Sequence, residues 1–140
     1  MTGLEDLVAK GFLETVEANK PMVQQWIEDA KRHLQAADAV AEIDPSGAYV
    51  LAYDAARKSV AAALLMTGHR VRSRPGSHQA LALFAKGLAQ QTGEISLERL
   101  DRLRRNRNRS EYGSRTFGAA EVEEAIVTAN AILAACTKVT

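Results

Sequence analysis

Cysteine is nearly absent from this chain: Cys136 is the only one, so no disulfide can form within it. That thiol falls in a helical apolar pattern with Ile132 and Leu133, which points to a buried, inert group rather than a nucleophile. Long apolar runs are missing too. No stretch approaches the roughly 20 residues that a membrane-spanning helix requires, so no membrane partner is expected. The first residues, Gly3-Leu4-Glu5-Asp6, are acidic where a secretory signal would be basic. A reducing, cytoplasmic setting is the resulting expectation. An excess of charge is also lacking, with a formal net charge of +1, and that balance by itself selects no partner. Three histidines, at 33, 69 and 78, lack ligand spacing, and Gly68 and Gly76 are too isolated to cradle a phosphate. Neither a metal site nor a cofactor is expected.

What is present is helical. Prolines and glycines punctuate the chain, and nearly everything between them repeats at helical spacing, without convincing strand alternation. Leu4, Leu7, Val8 and Phe12 suggest a short first helix. Pro21 suits the first turn of a second, whose apolar stripe runs through Val23, Trp26, Ile27, Ala30 and Leu34 to Ala37. Asp44-Pro45-Ser46-Gly47 interrupts it. A third helix, about Ala48 to Thr67, carries Tyr49, Tyr53, Val60 and Leu64 among many alanines, as a central helix packed on several faces would. Arg70, Arg72 and Arg74 then fall in a basic loop read as solvated, or as an addition to a basic surface near Arg105. Ser77 and Ser96 are candidate N-caps for two further helices, with His78 packed at the start of the first and Gly113 as terminator of the second. Val122 to Cys136 completes the series. The expected fold is all-α: a four-helix up-and-down bundle with an additional short N-terminal helix, forming one domain over residues 1–140. Trp26, Tyr49, Tyr53 and Leu64 are expected in its core.

The uneven feature is the helix after Ser96. Leu97, Leu100 and Leu103 anchor its first half, and Arg104-Arg105-Asn106-Arg107-Asn108-Arg109-Ser110-Glu111 follows without one aliphatic residue. At 3.6 residues per turn the leucine face continues through Arg107 to Glu111. The core face thus becomes polar while still facing inward, and its groups need a buried partner, a subunit or a ligand. A plainer reading also stands, because basic residues suit the C-terminal end of a helix dipole and Arg107–Glu111 is an ordinary intrahelical pair.

Arg107-Asn108-x-x-Glu111-Tyr112, after Leu100-x-x-Leu103, resembles the signature helix of the HEPN superfamily. The likeness extends to Tyr53-Asp54-Ala55-Ala56-Arg57, to Leu64-Leu65-Met66 before a glycine, and to Ser77-His78. Members are small helical bundles, many of them ribonucleases or toxins and others accessory binding domains. In the catalytic members an arginine is followed four to six residues later by a histidine. The arginine stabilises phosphate charge, and the histidine assists proton transfer during attack by the RNA 2′-OH. Here the matching positions hold Arg107 (or Arg105) and Tyr112; the histidine is missing. Guanidinium binds phosphate in bidentate fashion, but a phenol with pKa about 10 is a poor base at neutral pH.

The resemblance therefore implies a non-catalytic binding module, using Arg104, Arg105, Arg107, Asn108 and Tyr112 for RNA, for a protein partner or for dimerisation. It also implies a homodimer across this helix and a nucleotidyltransferase-type antitoxin as companion. The alternative is a metal-independent endoribonuclease of a toxin–antitoxin or defence system, with Arg107, Glu111 and Tyr112 catalytic. A purely structural bundle with a salt-bridged arginine surface is the third reading.

Overall fold

In a computed structural model of the chain the described residues are 2–75, 79–112 and 116–140; for Thr2 and residues 110–112 the description covers the backbone alone. The expectations for Ser77, His78 and Gly113 fall outside it. The chain is all-α. Helix α1 spans Thr2–Ala9, α2 Lys20–Val40, α3 Pro45–Met66, α4 Ala80–Thr92, α5 Leu100–Tyr112 and α6 Ala119–Thr137. Among the described residues the short N-terminal helix is present and five helices follow it, α4 and α5 being the two separate helices that the punctuation of the sequence suggests, one more than a four-helix bundle holds.

The second helix starts as its sequence dictates: Asn19 accepts a hydrogen bond from the Met22 amide at 3.1 Å, and proline occupies the first turn. The third begins three residues earlier than expected. Asp44 is its N-cap, accepting from the Gly47 amide at 3.0 Å, and Pro45 opens the helix instead of ending the previous one. A Cβ on Gly47 would collide with the Asp44 carboxylate, so the cap depends on that glycine.

Helix α3 is the centre of the bundle. Ala48, Tyr49, Ala52, Ala55, Ala56, Ser59 and Val60, then Ala62 to Leu65, are all buried. It packs most extensively on α2 and α6, and its alanines permit that close approach. Ser59, fully buried, donates to the Ala55 carbonyl at 2.7 Å. Cys136 is fully buried on α6, and burial pushes its thiol up to about 12, so it stays a protonated packing group as its sequence position suggested.

Three expectations are corrected. First, α1 ends at Ala9 and does not reach Phe12, because Gly11 takes a left-handed φ of 78°. The chain then forms a two-stranded antiparallel ribbon, β1 Leu13–Thr15 with β2 His69–Val71, in the register Leu13↔Val71, Glu14↔Arg70, Thr15↔His69. Strands of three residues are too short to register as alternation. Second, the basic loop begins as strand β2 and is tethered, although Arg70, Arg72 and Arg74 stay exposed as the solvated reading expects. Arg70 pairs with Glu14, while Arg74 lies over the Phe12 ring and donates to the Gly11 carbonyl at 3.3 Å. Third, Ser96 does not cap α5; it lies inside a 3-10 turn, Ile95–Arg99, that runs into the helix at Leu100.

Among the described residues no helix is long and apolar enough to cross a membrane.

Candidate functional site

Leu97, Leu100 and Leu103 are buried and fix the rotation of α5. Its remaining side chains are thereby sorted into two sets. Arg102, Arg105 and Arg109 are exposed, at helical spacings of three and four residues, with Arg99 of the preceding turn also exposed. Arg104, Asn106, Arg107 and Asn108 are half-buried.

Of the inward set, Arg104, Arg107 and Asn108 find partners within their own chain. Asp101 Oδ1 accepts from Arg104 Nε at 3.1 Å and from its Nη2 at 2.8 Å. The Arg104 side chain is only 17% exposed, so this is one of the better-shielded ion pairs of the molecule. Asp101 Oδ2 also reaches Arg105 Nε at 3.0 Å, so one carboxylate orients two guanidinium groups facing different ways. Arg107 lies over Tyr53, its guanidinium carbon 5.9 Å from the ring centroid, and donates to Asn108 Oδ1 at 3.4 Å. The face that continues the leucines is polar and inward at Arg107, as the helical period predicts. Tyr53 of α3 and Asn108 of α5 itself meet part of that polarity.

Of the sequence-predicted residues, Arg104, Arg107 and Asn108 come together on the Tyr53 side, whereas Arg105 turns to the open face. The Glu111 and Tyr112 side chains, and with them the expected Arg107–Glu111 pair, fall outside the described residues.

Beside Arg104 opens a cleft of about 430 Å³ between α2, α3, α4, α5 and β2. Leu64 and Leu100 lie in its floor, Trp26 and Tyr53 line it, and Arg57, Arg70 and Arg104 converge on it from α3, β2 and α5. Trp26 is therefore half-buried at a cleft, not enclosed in the core, and Tyr53 shares that position. Tyr49 alone of the three aromatics is fully packed, stacked on Phe117 with ring centroids 4.0 Å apart. Burial raises the Tyr53 phenol above its usual pKa of 10, against the pull of Arg57, Arg104 and Arg107. The group is neutral at pH 7 and can donate a hydrogen bond but not take a proton.

Sequence reasoning missed two contributors. Asp101 carries a readable signal, standing three and four residues before Arg104 and Arg105. Tyr53, Arg57, Ala61 and Leu64 recur at helical spacing, so Arg57 marks one edge of that apolar face as polar. What no spacing reveals is that β2 and α5 bring Arg70 and Arg104 to the same face. The link between the basic loop and the motif helix runs through Arg104, not Arg105.

Among the described residues no group of three or more His, Cys, Asp or Glu side chains gathers as a metal ion would need. His33 is half-buried on α2, its Nε2 2.7 Å from Lys58 Nζ, in a pair that suits a neutral imidazole accepting from an ammonium.

Neither a curated protein nor a solved structure matches the chain. The family model of the HEPN domain matches residues 23–139, from the second turn of α2 to the end of α6, and so takes in α3, the motif helix and every residue of the cleft. The chain belongs to the HEPN family.

Proposed function

We propose that this chain is a non-catalytic HEPN module that binds RNA along α5 and works as a homodimer. The observation that carries the reading is the sorting of the arginines. Arg102, Arg105 and Arg109 line the exposed face of the helix, where guanidinium groups can take successive phosphates. Arg104 and Arg107 brace the same helix from inside, against Asp101 and Tyr53. The pairs that hold the outer arginines, Arg102–Glu124 at 3.6 Å and Arg105–Asp101 at 3.0 Å, are solvent-exposed; such pairs are held by about 1 kcal/mol or less, so a phosphate can displace them. Loss of catalysis follows from chemistry at one position. Tyr112 stands where catalytic members carry histidine, and a phenol does not exchange protons near pH 7 as imidazole does.

The test is a labelled single-stranded RNA oligonucleotide incubated with the wild type, Arg105→Ala, Arg107→Ala and Tyr112→Phe. The expected result is binding without cleavage, with Arg105→Ala binding more weakly at unchanged helicity. Affinity should fall steeply with salt, because each phosphate contact releases counterions. Cleavage by the wild type that is lost in Arg107→Ala and Tyr112→Phe would overturn the reading in favour of the endoribonuclease. Neither binding nor cleavage in any variant would leave the structural bundle.

A further inference from the structure

The cleft beside Arg104 has properties that RNA binding along the outer face of α5 does not use. Its volume, about 430 Å³, lies within the 300–1,000 Å³ range of small-molecule sites; an apolar cavity of about 150 Å³ already holds benzene. The surface inside it is mostly carbon, from Leu64, Leu81, Leu100 and Val71 between the rings of Trp26 and Tyr53. Among the described residues every charged side chain lining it is an arginine: Arg57, Arg70 and Arg104. Their carboxylate partners, Asp54, Glu14 and Asp101, lie outside the lining.

We propose that this cleft binds a small amphipathic carboxylate, its apolar body on Leu64 and Leu100 between Trp26 and Tyr53 and its acid group at the arginine rim. A guanidinium offers five N–H donors, so each rim arginine can hold its own carboxylate partner and still donate to a ligand. Three guanidinium groups arriving from three different elements give the rim a preference for anions. The apolar interior decides the rest of the ligand. Among the described residues no Asn, Gln, Ser, Thr, Asp or Glu side chain lines the cleft, so those lining side chains offer no amide or carboxylate to read a base edge or a ribose hydroxyl. A nucleotide is therefore the poorer fit, although the rim suits its phosphate. The proposal is independent of the RNA reading, and Arg104 is the one residue the two share.

Trp26 is the chain's single tryptophan and lines the cleft, so its emission reports this site alone. Decanoate, kept below its micelle-forming concentration, is titrated into the whole protein with 1-decanol and adenosine monophosphate as comparisons, and calorimetry runs in parallel. The expected result is saturable binding of decanoate with a change in Trp26 emission, and binding of decanol weaker by about tenfold or more, the size of a lost charge-assisted hydrogen bond. The double variant Arg57→Gln/Arg70→Gln should bring decanoate down to the decanol level. Ala82→Phe, at a half-exposed lining position, should abolish both. Should either variant fail to fold, the decanoate–decanol comparison on the wild type still decides. Equal binding of decanoate and decanol would overturn the proposal, as would adenosine monophosphate binding as well as decanoate. So would an absence of both heat and spectral change. A Trp26 emission that shifts with protein concentration and no longer responds to decanoate would assign the cleft to a second copy of the chain, which also overturns it. RNA binding is not read in any arm, so failure here leaves the reading of α5 standing.

Discussion

At the scale of single residues, the ionisable groups that packing has altered are few and serve different ends. Cys136 is kept neutral by burial and contributes only volume. His33 is held below its usual pKa of 6.5, first by burial and then by the charge of Lys58, while Asp54 and Asp29 pull the other way. A depressed histidine makes stability depend on acid. Below pH 6.5 the unfolded chain takes up a proton that the folded chain refuses, so stability falls as pH drops from 6.5 through the lower folded value. His33→Gln keeps an acceptor for Lys58 and removes the titration. Melting temperatures of the two proteins, measured from pH 7.5 to 5, should diverge on the acid side, with the wild type losing more. Parallel curves would mean that the His33–Lys58 contact does not shift the imidazole.

At the scale of elements, burial separates positions that look alike in sequence. Trp26 on α2 and Leu64 on α3 both recur at core spacing, yet Leu64 is 1% exposed and Trp26 is half-open to the cleft. Leu64→Ala should cost about 2–5 kcal/mol, as large-to-small changes in packed cores do. Trp26→Ala leaves no closed cavity, since one side of the ring already meets solvent, and should cost about 1–2 kcal/mol, close to its transfer term alone. Urea melts of the two variants give the comparison. Equal losses would place the tryptophan in the core and close the cleft. The same contrast runs along α5, where three leucines fix the helix and thereby decide which arginines meet water.

At the scale of the whole molecule, the folded chain changes the ground on which a homodimer would stand. The sequence suggests that the polar half of α5 needs a second copy for cover. The folded chain meets part of that need itself, through Asp101, Asn108 and Tyr53. Dimerisation thus rests on the family resemblance and on the outer end of α5, where Tyr112 closes the helix. Sedimentation at micromolar concentration should give twice the 15.2 kDa of the chain. A monomer across the concentration range would remove the dimer and leave RNA binding to single copies. Arg109→Glu, on the exposed face near that end, should push the equilibrium towards monomer if the interface lies there.

The helices, their all-α packing, the central place of α3 and the family itself were legible in the sequence, because helical period and a contiguous motif are local properties of the chain. Pro21 and the leucines of α5 act within a few residues of where they stand. The two short strands were not legible, since a ribbon of three-residue strands is held by pairing between segments more than fifty residues apart rather than by a pattern within either. Nor was the cleft. It exists because β2 returns along β1 and sets Arg70 beside α3 and α5, opposite Trp26 of α2. Which arginines face outward, which brace Tyr53 and which surround an apolar cavity is decided by helix rotation and by contacts distant in sequence. Only the tertiary structure sets those two things.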